Sequence, residues 1–129
     1  MSNSFSIKSN SSDRELYFSN PQEDYFRVQL KGNVSATVEV YAYTYSADLN
    51  EMLQKLASYK KPWAEEESWE SLEGEFKLSA TCSPLGTVEF RVFLWGFPGA
   101  PEEVRVKAGL VTELGQLENI AKCSQEFFS

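Results

Sequence analysis

Apolar and polar residues alternate with a period of two along most of the chain. Phe26, Val28 and Leu30 alternate with Tyr25, Arg27, Gln29 and Lys31, and after Gly32-Asn33 the alternation resumes at Val34, Ala36, Val38 and Val40. Such a pattern predicts two strands of a hairpin. Facing Leu30 with Val34 sets Val28 against Ala36 and Phe26 against Val38, which keeps the apolar residues on one face. The loop is then Lys31 to Asn33, with Asn33 in the left-handed conformation that such a loop requires. A second hairpin follows from Phe76, Leu78 and Ala80 before Ser83-Pro84-Leu85-Gly86 and Val88, Phe90, Val92 and Leu94 after it. Pairing Ser83 with Thr87 leaves Pro84 to preset the first turn angle and Gly86 to take the left-handed position. Beyond a Pro- and Gly-rich connection at Gly96 to Pro101, Val104, Val106, Ala108 and Leu110 predict a further strand of the same meander. Segments around Phe5 and Ile7, and around Leu16 and Phe18, supply two more.

Two stretches change period. From Ser46 to Lys61, Leu49, Met52, Leu53, Leu56 and Tyr59 share a helix face, Asp48 and Glu51 suit a capping box, and Pro62 ends the run. From Glu113 to Phe128, Leu117, Ile120, Ala121 and Phe127 again share a face, with Gly115 weakening the start. No repeat or linker divides the chain. The expectation is one α+β domain over residues 1–129: a largely antiparallel meander sheet of about five to seven strands with two packed helices.

Composition narrows the function. The chain has 129 residues, 42% of them hydrophobic and 14% aromatic, enough for a single core. Its net charge is -7, which argues against nucleic acid as the main partner because phosphate binding needs a basic face. It contains no histidine, so most catalytic triads and many metal sites are excluded. Cys82 and Cys123 are far apart and lack a CxxC neighbour, so buried free thiols are expected and neither a metal nor a cofactor is. Met1 to Phe18 has no signal-peptide core, and no run approaches the roughly 20 apolar residues of a membrane span. A soluble, cytoplasmic protein with no membrane partner is the expectation. Oligomeric state is not legible.

The acidic excess is local. Residues 1–64 are balanced in charge, whereas Glu65, Glu66, Glu67, Glu70, Glu73 and Glu75 stand close together without a base among them. Crowded like charges repel, so a docking loop for a basic partner is one reading, with Glu65, Glu66, Glu67, Trp69, Glu70 and Glu73 as its contacts and Trp63 and Trp69 as aromatic anchors. A solvated loop that aids solubility, with both tryptophans in the core, is the other. Paired carboxylates also serve enzymes, but no calcium-loop spacing, GxSxG, GxGxxG or P-loop is present, and Gly74 shortens any helix that would bring Glu70 and Glu73 together. A non-enzymatic chain is expected.

A second candidate is an aromatic stripe of Tyr41, Tyr43 and Tyr45, with Phe93 and Trp95 on the sheet face opposite Val92 and Leu94. It could bind a small apolar ligand through Tyr41, Tyr43, Tyr45 and Trp95. The apolar faces of two helices must pack somewhere, however, and a helix is expected to cover that face.

From Val34 onward, the Tyr41 segment with its helix, Trp63 and Trp69 leading into Ser71-Leu72-Glu73-Gly74-Glu75, Gly86-Thr87-Val88 and Gly115-Gln116-Leu117-Glu118 before Phe127-Phe128 resemble a small bacterial family known only as a domain of unknown function. Where that family often carries a histidine after the turn glycine, this chain has Thr87. The resemblance implies a fold and no activity. Such families often occur among antitoxin and immunity-type proteins, and an immunity-type protein neutralising a basic toxin is one concrete form of the docking reading.

Overall fold

A computed structural model of the chain describes residues 3–41 and 46–129. Its strands are β1 (Ser4–Lys8), β2 (Glu15–Ser19), β3 (Tyr25–Lys31), β4 (Ala36–Tyr41), β5 (Glu67–Glu70), β6 (Phe76–Cys82), β7 (Thr87–Gly96) and β8 (Val104–Glu113). Helix α1 (Ser46–Ser58) separates β4 from β5, and a short 3₁₀ turn at Leu114–Gln116 leads into α2 (Leu117–Phe128). This is an α+β fold. The strands form two antiparallel meanders, β1-β2-β3-β4 and β5-β6-β7-β8, where alternation alone predicted one sheet.

Period-two alternation determines which residues meet. Phe5, Ile7, Leu16, Phe18, Phe26, Val28, Leu30 and Val40 are buried on one face of the first sheet, and Phe76, Leu78, Ala80, Val88, Phe90, Val92 and Leu94 on one face of the second. Both faces join Leu49, Leu53 and Leu56 of α1 and Leu117, Ile120 and Phe127 of α2 in one continuous core. Phe18 is the joint. Its ring stacks on Phe5 at 4.3 Å and meets edges of Phe76 across the sheets at 5.9 Å and of Phe127 at 6.4 Å.

The helices pack through a polar seam. Asn50 Nδ2 donates to Gln125 Oε1 at 2.9 Å, Gln54 Nε2 to the Ala121 carbonyl at 2.7 Å, and the buried Ser124 hydroxyl to Asn50 Oδ1 at 2.8 Å. Buried polar groups are thereby satisfied. Along β8, the Asn10 N–H of the β1–β2 loop donates to the Val111 carbonyl at 2.8 Å, and the Val111 N–H donates to Ser9 Oγ at 3.1 Å.

Several expectations need correction. The β3–β4 register pairs Leu30 with Ala36, Val28 with Val38 and Phe26 with Val40, two residues beyond the predicted pairing. A slip of two preserves which face each side chain occupies, so the apolar pattern could not detect it. The positive φ falls on Gly32 and not on Asn33, and Val34 is exposed in the longer loop. Asp48 lies inside the first turn of α1, which ends at Ser58 rather than Lys61, and Glu113 closes β8 instead of opening a helix. The second hairpin matches expectation: the Ser83 N–H donates to the Thr87 carbonyl at 2.9 Å, and Gly86 has φ 87°. Both cysteines are free but only half-buried, and burial pushes the Cys82 thiol up, away from the reactive thiolate. Among the described residues no helix is long and apolar enough to cross a membrane.

Replacing Phe18 by Ala is expected to cost about 3–5 kcal/mol in urea unfolding, as for other buried aromatic truncations. A cost below about 1 kcal/mol would show that this ring does not join the sheets.

Candidate functional site

The acidic segment is partly a strand. With β5 at the edge of the second sheet, period-two alternation divides its side chains between two faces. Glu67 and Trp69 turn inward and Ser68 and Glu70 outward, so the glutamates that crowd in sequence separate in space. The Glu67 carboxylate accepts from Lys55 Nζ at 3.0 Å and from the Tyr59 hydroxyl at 2.6 Å. These two hydrogen bonds, Tyr59's first, hold its pKa below the ordinary carboxylate value. Trp69 packs edge-on against Phe76 at 5.7 Å, and the buried Trp63 stacks on Tyr59 at 5.0 Å. Both tryptophans serve the core.

Past β5 the chain makes a tight turn. Gly74, at φ 77°, donates its N–H to the Ser71 carbonyl at 3.0 Å. The buried Glu75 carboxylate accepts from the Ser71 hydroxyl, which in turn accepts the Phe76 N–H at 3.1 Å. Glu65, Glu66, Glu70 and Glu73 remain exposed, with Glu70 3.7 Å from Lys77.

This turn forms one wall of a cleft of about 600 Å³, with Glu73, Glu75 and Trp95 on one side and Thr37, Glu39 and Phe97 among its other residues. Two candidates that were separate in sequence, Glu73 and Trp95, share it. Glu39 is paired with Arg27 at 2.7 Å. Glu73 has no cationic partner among the described residues. Phe97 is the unusual member: it is 69% exposed and holds φ 49°, a left-handed conformation that is an outlier for a bulky side chain. Its loop is pinned by the Gly99 N–H, which donates to Glu103 at 2.6 Å and is the main reason that the carboxyl titrates low.

Among the described residues no helix covers the Phe93 and Trp95 face, contrary to expectation. The helices spend their apolar faces on each other, on β1 and on β5, and basic side chains lie over the rings instead. Lys77 Nζ is 5.6 Å from the Phe93 centroid, and the Arg105 guanidinium is 5.1 Å from that of Trp95. Tyr41 lies at the end of β4, edge-on to Tyr25 at 5.2 Å; Tyr43 and Tyr45 lie outside the described residues. Of the four residues named for an apolar ligand, the described ones, Tyr41 and Trp95, lie on strands of different sheets. Glu39 and Phe97 escaped sequence reasoning, although an aromatic residue placed between a strand and Pro98-Gly99 was a visible signal.

A family model matches residues 7–129. The chain belongs to this family, DUF6228, a family of unknown function. The DUF6228 match takes in most of the first sheet as well as the region from Val34 on which the resemblance was drawn. No curated protein and no solved structure matches the chain significantly. Membership in DUF6228 therefore brings no catalytic residue to set against the geometry.

The Lys55, Tyr59 and Glu67 cluster makes stability depend on pH at both ends. Glu67, lowered in the fold, contributes stability that is present above the ordinary carboxylate value and lost as pH falls through the folded value. Lys55 and Tyr59, both raised chiefly by the Glu67 hydrogen bond, contribute stability that is present below their ordinary values and lost as pH rises through the folded ones. Glu67→Gln is expected to lower Tm at neutral pH, with the gap to the parent narrowing below about pH 4 and above about pH 10 in scanning fluorimetry. A gap constant across that range would show that the cluster acts by packing alone.

Proposed function

We propose that the chain is a non-enzymatic binding module for a basic protein partner, taking a lysine or arginine side chain into the cleft of Glu73, Trp95 and Phe97. Phe97 carries the reading. A left-handed conformation costs a residue with a side chain roughly 1–2 kcal/mol, and an exposed ring recovers little of that by burial. Backbone strain of this kind collects where presentation of a side chain is useful. The cleft it presents to is lined by three glutamates and the Trp95 indole; Arg105 already lies over the indole and Arg27 already pairs with Glu39, so the Phe97 ring and the Glu73 carboxylate are the aromatic face and the charge left for an incoming cation. The same carboxylates favour a cationic occupant over an apolar one.

Charge supports the reading in a second way. Exposed Glu65, Glu66 and Glu70 extend the acidic surface, and opposite charge speeds association and helps to select the partner. An immunity-type role, neutralising a basic toxin, is one form such a function takes. As an enzyme site the cleft is weak: among the described residues Glu75 is its one buried carboxylate, with no second buried acid beside it for acid–base work.

Titrating a short peptide rich in lysine and arginine into the full chain at about 50 mM salt tests the proposal by calorimetry. Glu73→Gln and Phe97→Gly are each expected to weaken binding about fivefold to tenfold, the range of a desolvated cation–π contact or ion pair. Phe97→Gly should also keep or raise Tm, because glycine adopts positive φ without steric cost. Absence of peptide binding, or parental affinity in both variants, overturns it.

A further inference from the structure

The outer face of the second sheet holds another cleft, of about 640 Å³, within the range of small-molecule sites. Its shape follows from register. Arg91 of β7 sits between Ser79 of β6 and Gly109 of β8, and Ser79 pairs with Ser68 of β5. Three small residues around one long side chain leave the middle of the face sunken. The next rung, Glu70, Lys77, Phe93 and Lys107, forms one bank.

The opposite bank comes from the other sheet. Arg14, in the β1–β2 connection, reaches across so that its Nη1 donates to the Gly109 carbonyl at 3.0 Å and its Nη2 to Asn33 Oδ1 at 3.3 Å. Gly109 is the residue paired with Arg91, so two guanidinium groups converge on one rung. Arg14 is thereby fixed in place, and three of its five N–H donors are left for a ligand.

The local charge is the reverse of the global one. Arg14, Lys77, Arg91 and Lys107 face only Glu66 and Glu70 among the lining residues, in a chain with 19 acids and 12 bases. Lys77 is held by Glu70 at 3.7 Å and Arg91 by Glu89 at 3.3 Å. Arg14 and Lys107 have no carboxylate partner among the described residues. A solvated face of an acidic protein has no need to gather unpaired cations around a hollow.

We infer that this cleft binds a small phosphorylated molecule with a planar ring, its phosphate between Arg14 and Arg91 and its ring against Phe93. One bidentate guanidinium already occupies both oxygens of a carboxylate, whereas a phosphate monoester has three oxygens for two guanidinium groups to share. The half-buried Phe93 ring lies on the adjoining rung, and a planar body that displaces the flexible, exposed Lys77 side chain now 5.6 Å from its centroid gains its stacking area. The inference is independent of the acidic cleft, which shares none of these residues.

Titration of the full chain with adenosine monophosphate, adenosine and inorganic phosphate, followed by NMR shifts of residues 77–93 and 107–109, tests it. The monophosphate is expected to bind at least about tenfold more tightly than either fragment, and Arg91→Gln to weaken it about tenfold, as loss of a charge-assisted pair does. Arg14→Gln should do the same; because Arg14 also bridges the sheets, Lys107→Gln, which removes only an unpaired charge, serves as a second variant and should weaken binding with Tm unchanged. Absence of saturable shifts overturns the inference, as does monophosphate affinity unchanged in both Arg91→Gln and Lys107→Gln. Equal affinity for inorganic phosphate and the monophosphate overturns the role given to Phe93.

Discussion

The packing of Phe18 between the two sheets is the contact on which the rest of the molecule depends. Each sheet has one apolar face, and neither face could be left in water without losing roughly 25 cal/mol for every Å² exposed. Phe18 touches Phe5 within its own sheet, Phe76 across the gap and Phe127 on α2. With the inner faces committed to one another and to the helices, the outer face of the second sheet is left for polar and half-buried side chains. Both clefts lie at that surface or its margin because the core has used everything behind it.

The two clefts have opposite sign, and Trp95 stands where they come closest. Its ring lines the acidic cleft and also a small depression of about 210 Å³ shared with Glu70, Lys77, Phe93 and Arg105. Arg105 lies over the ring and is tied to Glu103 at 3.2 Å.

Most elements were legible in the sequence because their residues alternate cleanly, and Pro84-Leu85-Gly86 specifies its turn through two residues with fixed backbone demands. Where legibility failed, the cause was physical. Glu67-Ser68-Trp69-Glu70 has one apolar side chain in four positions, so β5 reads as a charged loop; it is a strand because Trp69 finds Phe76 and because Glu67 finds Lys55 and Tyr59. The candidate site was half visible. Glu73 and Trp95 could be named, but their meeting depends on the β5–β6 turn, and the partners Glu39 and Arg14 come from the other sheet, at separations that no local pattern encodes. Arg14 reads as one more polar loop residue until Gly109, 95 positions away, is placed beneath it.

The β1–β2 loop has a further effect through its grip on β8. A strand at the border of a sheet offers unpaired amides and carbonyls to any chain that can extend alongside it, the usual route to intermolecular pairing. Ser9 and Asn10 occupy the Val111 groups, and Arg14 occupies the Gly109 carbonyl. At this end of β8 a foreign strand would first have to peel the chain's own loop away, so the loop that brings Arg14 to the basic hollow also guards the molecule against zipping onto its neighbours.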